Sequence, residues 1–204
     1  MYDVNDTIAA VSSPPGGTRA ILRIAGAETV SVCSRIFDGI VSPDSGGVFA
    51  GTIAVDNEFC IDAQLYMFRS PHSYTGEDIA EIHICANSSV VEALLGKLLG
   101  GGLRMAGPGE FTARAYMNGK IDLSQAEAVN EVVSSSNTFQ LAAAEKLLGG
   151  RLSESAEQIR STIMDCLSLL EAGLDFSEEH IEFISPNEVV ERLAGIKKQL
   201  QDLL

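Results

Sequence analysis

With 204 residues, 46% of them hydrophobic and 21% charged, the chain has the size and composition of one soluble domain or two small ones. A formal charge of −14 opposes contact with nucleic-acid phosphates and anionic lipid, so RNA binding by this chain alone is not expected. Cys33, Cys60, Cys85 and Cys166 form no CxxC pair and read as reduced, small apolar residues of a cytoplasmic protein. Met1 to Asp6 has no basic-then-apolar leader, and no apolar run approaches 20 residues, so neither export nor membrane spanning is expected.

In chain order, Thr7–Ser13 is a short apolar run ending at Pro14-Pro15-Gly16-Gly17, which the missing donors and flexible glycines make a loop. Ala20–Ala25 follows as a strand with Arg23 inside it. That arginine is either salt-bridged or functional, because an unpaired buried charge is costly. The glycine-rich loop before it lacks the GxGxxG pattern of a dinucleotide site. Ala27–Phe37 has helical spacing, with Val30, Cys33 and Phe37 on one face. After a loop at Pro43–Gly47, strands are predicted at Val48–Val55 and Ala63–Phe68, with a turn at Asp56-Asn57-Glu58.

The polar stretch Ser70–Asp78 leads into Ile79–Cys85, whose alternation puts Ala80, Ile82 and Ile84 on a core face. Glu81 and His83 then share the more polar face. His83 reads as a hydrogen-bonded sheet histidine, and His72 and His180 have no HxH or HExxH company that would make a metal site. Ser88–Leu99 is an amphipathic helix stopped by Gly100-Gly101-Gly102, and Leu103–Ala106 is a last strand.

Two helical segments meet at Asn118-Gly119-Lys120, with Glu110 and Arg114 on the first of them. Asp122 and Gln125 form a capping-box pattern opening the second. Lys120 is either a solvated turn residue or a ligand contact between two packed elements. From Asp122 onward the pattern is helical. One helix reaches about Ser135, and another starts near Asn137. Its stripe runs through Leu148, Leu152, Ala156, Ile159, Ile163, Cys166, Leu170 and Leu174, weakened by Gly149-Gly150. Residues 174–183 form an acidic connection. Ser185-Pro186-Asn187-Glu188 opens a last helix to Leu204, whose stripe at Val189, Val190, Leu193, Ile196, Leu200 and Leu203 suggests part of a larger body or half a dimer.

Five blocks carry a resemblance to a known family. They are Asp6-Thr-Ile-Ala-Ala-Val-Ser-Ser-Pro-Pro-Gly16, Ile21-Leu-Arg-Ile-Ala-Gly26, Ser73-Tyr-Thr-Gly-Glu-Asp78, the run from Pro108 to Ala128, and Leu174-Asp-Phe-Ser-Glu-Glu-His-Ile-Glu-Phe183. In this order they resemble MnmE (TrmE), the tRNA-modification GTPase that acts on wobble uridine. The resemblance implies an α+β fold: a small mixed-sheet, tetrahydrofolate-binding and dimerising domain over residues 1–118, then an all-α helical domain over 119–204, truncated before the GTPase insertion. It further implies Arg23, Glu81 and Lys120 as folate contacts. The ligand would be a tetrahydrofolate derivative in the 5-formyl or methylene form.

The implied partners are a second copy through the amino-terminal domain, the FAD-containing MnmG protein, and tRNA in the full complex only. The family's loop after Pro-Pro-Gly is here shortened to Gly17-Thr-Arg-Ala20, and its Gly-His-Gly-Gly is replaced by Ile84-Cys-Ala-Asn87. No G-x-x-x-x-G-K-[ST] occurs, so GTP hydrolysis by this chain alone is not expected, and GTP, Mg²⁺ and K⁺ would belong to a GTPase domain outside it. Two further readings stand beside this one. They are a dimerisation or docking module that has lost its ligand, and a stand-alone folate-dependent aminomethyltransferase.

Overall fold

In a computed structural model the chain is described at residues 6–39, 45–55, 59–176 and 183–203. The expected turn at Asp56–Glu58, most of the acidic connection at 177–182, and the ends of the chain lie outside the described residues. The fold is α+β, with seven strands and seven helices among the described residues. The chain divides into two compact units, Met1–Ala126 and Glu127–Leu204.

The first unit is one mixed sheet. Its strands are β1 (Ile8–Val11), β2 (Arg19–Ala25), β3 (Phe37–Asp38), β4 (Gly47–Ala54), β5 (Cys60–Phe68), β6 (Ile79–Cys85) and β7 (Arg104–Met105), in the order β3-β4-β5-β6-β2-β1-β7. Every pairing is antiparallel except β1 with β7. Helices α1 (Thr29–Ile36) and α2 (Ser88–Gly100) belong to the same unit. They bury Val32, Cys33, Leu94 and Leu98 in the cluster formed by Leu22, Ile24, Leu65, Ala80, Ile82 and Ile84. Full burial of each Leu or Ile contributes about 1.5–3 kcal/mol, which makes this cluster the main stabilising feature of the unit. Phe37, expected on the helix, instead begins β3 and is buried there, because the helix stops one residue earlier. All four cysteines are free thiols. Cys33 and Cys166 are buried, whereas Cys60 and Cys85 are exposed, unlike the apolar role expected for all four. Burial pushes the Cys33 thiol up to about 12.

Helix α3 (Glu110–Met117) ends at Asn118-Gly119, and α4 (Leu123–Ser134) starts beyond Asp122. The capping box forms as expected: the Gln125 N–H donates to Asp122 Oδ1 at 2.9 Å, and the Asp122 N–H donates to Gln125 Oε1 at 3.0 Å.

The second unit is helical. The long predicted helix is two, α5 (Thr138–Leu148) and α6 (Arg151–Asp175). Gly150 takes φ = 76°, a left-handed conformation no regular helix contains, so the glycine pair breaks the helix rather than weakening it. Helix α7 (Pro186–Leu203) packs along α6, and its amino terminus is capped by Ser185 Oγ accepting from the Glu188 N–H at 3.2 Å. Ile159, Cys166 and Ile196 are buried within this unit. Leu174 remains 74% exposed and Val190 66%, so the stripes read from the sequence are only partly covered.

Candidate functional site

Register on the sheet determines which polar side chains meet. Because β6 alternates, Ala80, Ile82 and Ile84 enter the core while Glu81 and His83 stand on the other face. On that face Arg23 of β2 lies directly opposite Glu81, and Tyr66 of β5 flanks Glu81 on its other side. Gln64 and Ile21 flank His83 one row along.

Arg23 Nε donates to Glu81 Oε1 at 2.9 Å, and its Nη2 reaches the same oxygen at 2.7 Å. His83 Nε2 lies 3.3 Å from Glu81 Oε2, so each carboxylate oxygen has its own nitrogen partner. The Tyr66 ring packs against the imidazole at 4.3 Å between centroids. The Arg23 guanidinium sits over Phe111 of α3, 5.5 Å from the ring centroid, a cation–π geometry. The arginine inside the strand is therefore salt-bridged, which meets the cost of its partial burial.

An ion network fixes α3 beside this pair. Glu110 and Arg114 are fully buried, four residues apart on one helical face. Arg114 donates to Asp6, Glu77 and Glu110, while Arg104 of β7 bridges Asp6 and Glu110, reaching Glu110 Oε1 at 2.5 Å. Hydrogen bonds from Arg104, and from Arg114, hold the Asp6 carboxyl below its usual range despite burial. Burial raises the Glu110 carboxyl, but hydrogen bonds from Arg104 and the Gly107 N–H outweigh it and leave it depressed. At Gly26, after β2, an added Cβ would meet Thr7 Oγ1 at 2.7 Å and the Asp6 carbonyl at 2.8 Å, so the backbone approaches too closely for any side chain.

Lys120 stands elsewhere. It lines a cavity of about 470 Å³ with Gly26, Ser70, Pro71, Glu77 and Asn118, and its Nζ donates to the Pro71 carbonyl at 3.0 Å. Asn118 Nδ2 donates to the Thr75 carbonyl at 2.7 Å, which ties the 70–78 loop to the end of α3. A second cavity, about 660 Å³, lies over the sheet between Arg19, Thr52, Asp62, Gln64, His83 and Cys85. Of the three residues predicted as contacts, the structure joins Arg23 to Glu81 and puts Lys120 in a cavity that neither of them lines.

Sequence reasoning named Glu110, Arg114 and His83 without giving them partners. Their signals were the i, i+4 spacing of Glu110 and Arg114 and the shared face of Glu81 and His83. Asp6 and Arg104 gave none, because their partners are remote in the chain. Among the described residues no cluster of three His, Cys, Asp or Glu residues is placed to hold a metal ion, and no helix is long and apolar enough to cross a membrane.

Two families match consecutive parts of the chain: the GTP-binding protein TrmE N-terminus over residues 7–120, and the MnmE helical domain over residues 123–204. Similar proteins include the tRNA modification GTPase MnmE of Nitrosomonas eutropha, 38% identical over 201 residues. Those of Protochlamydia amoebophila and Caldicellulosiruptor saccharolyticus are 40% and 37% identical. The alignments cover 98–100% of this chain and 44–45% of those proteins, so the chain spans less than half the length of the relatives it matches.

Proposed function

This chain belongs to the MnmE (TrmE) family of tRNA modification GTPases, and from that membership we propose that it is the folate-binding and dimerising portion of such an enzyme. Its task is to position a one-carbon tetrahydrofolate for addition of an aminomethyl-type group, such as carboxymethylaminomethyl, to carbon 5 of the wobble uridine. A second copy of the chain, an FAD-containing MnmG protein and, in the complete assembly, tRNA are its partners, in the cytoplasm. Any GTP hydrolysis, with Mg²⁺ and K⁺, would require a GTPase domain outside these 204 residues, which have no G-x-x-x-x-G-K-[ST].

The observation that carries this reading is the Arg23–Glu81 pair on the non-core face of the sheet, at two of the positions where the family resemblance implies folate contacts. The residues present fit such a ligand. Glu81 is partly exposed, and with Arg23 on Oε1 and His83 on Oε2 a lone pair of Oε2 is left to accept from an N–H of the ring. Arg23 fixes that carboxylate through Oε1. Lys120 offers an ammonium to the carboxylates of a glutamyl tail; among the described residues it has no carboxylate within ion-pair distance. When bound, the folate supplies the one-carbon unit, while the chain contributes binding and orientation.

Calorimetric titration with 5-formyl-tetrahydrofolate tests the reading. Binding by the native chain, weakened at least tenfold by Glu81→Ala, is the expected outcome, since a lost charged hydrogen bond costs about 1.5–3 kcal/mol. Equal affinity of native and variant chains removes Glu81 from the site.

A docking module without ligand is the second reading. It is favoured by the shortened loop at 17–20, the replaced segment 84–87 and the half-exposed stripes of α6 and α7. Absence of folate binding together with a stable dimer selects it.

A further inference from the structure

We propose that His83 is a positioning residue for Glu81, acting as a neutral imidazole that donates its Nε2 hydrogen to the carboxylate. The inference rests on the folate reading, and deepens it by naming what orients the ring-binding acid.

Three observations support it. First, Glu81 Oε1 is held by Arg23 at 2.7 and 2.9 Å, which leaves Oε2 as the oxygen whose direction is still to be fixed. His83 Nε2 stands 3.3 Å from it, and a carboxylate facing a ring nitrogen demands a hydrogen on that nitrogen. Secondly, His83 Nδ1 is buried with no hydrogen-bond partner among the described residues. A second hydrogen there would be a buried N–H with no acceptor, a costly arrangement, whereas a bare lone pair costs less. The surroundings thus favour one tautomer, with Nε2–H and unprotonated Nδ1. Thirdly, the ring cannot swing freely. Tyr66 packs on it at 4.3 Å between centroids, and the side chain is 12% exposed.

The consequence concerns geometry rather than charge. Arg23 alone can pivot about Oε1, so a carboxylate held only by it keeps rotational freedom about its own χ angles. With His83 on Oε2 the carboxylate plane is set. A ligand N–H then meets an acceptor of fixed direction at Oε2, and ordering entropy is not lost again on binding. His83 also lines the 660 Å³ cavity.

The test compares His83→Gln, which keeps a donor on a side chain of similar reach, with His83→Leu, which keeps bulk against Tyr66 and removes the donor. Affinity for 5-formyl-tetrahydrofolate is measured by calorimetry, and folding is checked by thermal melting. His83→Leu is expected to lose about tenfold in affinity, and His83→Gln to stay within about threefold of the native chain. In parallel, ¹⁵N NMR of the ligand-free native chain at pH 7.5 is expected to show Nε2 protonated and Nδ1 unprotonated. The inference is overturned if His83→Leu binds as tightly as the native chain while Glu81→Ala does not, or if Nδ1 carries a hydrogen. Should His83→Leu fail to fold, the NMR tautomer alone decides. A native chain that binds no folate defeats the functional reading instead, and the tautomer then still reports whether His83 holds Glu81.

Discussion

Arg114 shows how much a single side chain can depend on its partners. It is fully buried, joins α3 to Asp6 and to the 70–78 loop through Glu77, and shares Asp6 and Glu110 with Arg104. Arg114→Ala leaves Glu110 buried with one guanidinium fewer. Urea denaturation of this variant should show a loss of about 3–5 kcal/mol, the cost typical of breaking a buried pair; a change below 1 kcal/mol would make the network decorative.

The same residues set an acid limit. Asp6 and Glu110 have folded-state pKa values below their ordinary 3.8 and 4.5, so the stability they contribute is fully present above those ordinary values. It is lost as pH falls through the depressed folded values. Thermal midpoints measured in acid should therefore fall below about pH 4.5 and flatten above it. In Asp6→Asn that fall should be shallower, since one of the two depressed carboxyls is gone. The register that produces this network was not legible in the sequence: Asp6 and Arg104 lie 98 residues apart, and nothing local to either names the other.

At the scale of elements, periodicity was informative and breaks were less so. The period-2 pattern of β6 separated Ala80, Ile82 and Ile84 from Glu81 and His83, and the sheet realises that division because one face is buried. Capping chemistry likewise located the starts of α4 and α7, where a side-chain oxygen satisfies an unpaired N–H. The 3.6-residue stripe ran on through Gly149-Gly150 because apolar spacing does not register a single left-handed residue. Only φ at Gly150 separates α5 from α6. Gly150→Ala should cost about 1 kcal/mol in the melting of the helical unit, from the left-handed penalty on an L-residue. Folate affinity should stay as it was. A gain in stability would mean that the two helices prefer to be one.

For the molecule as a whole, the family blocks were legible because five of them fall in order along the chain. Whether Lys120 shares a ligand with Glu81 depends on how the 70–78 loop folds back on α3, which spacing does not encode. A charge of −14 opposes contact between this chain and tRNA phosphates. Gel-shift titration with tRNA at about 150 mM salt, where charges are screened beyond roughly 8 Å, should show no complex with this chain alone. Light scattering should give a mass near twice that of one chain, and a monomer at micromolar concentration would remove the dimerising role.

The central claim is the proposal that the sheet face bearing Arg23 and Glu81 holds the ring of a reduced folate, with Lys120, in its separate cavity, taking the glutamyl tail. Saturation-transfer NMR of 5-formyl-tetrahydrofolate with the native chain, Glu81→Ala and Lys120→Ala tests it most directly, because it reports which part of the ligand is in contact. The account predicts transfer to ring protons in the native chain and its loss in Glu81→Ala. In Lys120→Ala, ring contact should persist while contact at the glutamyl tail weakens. Ring contact that survives in Glu81→Ala, or no transfer to the ligand in the native chain, would contradict it.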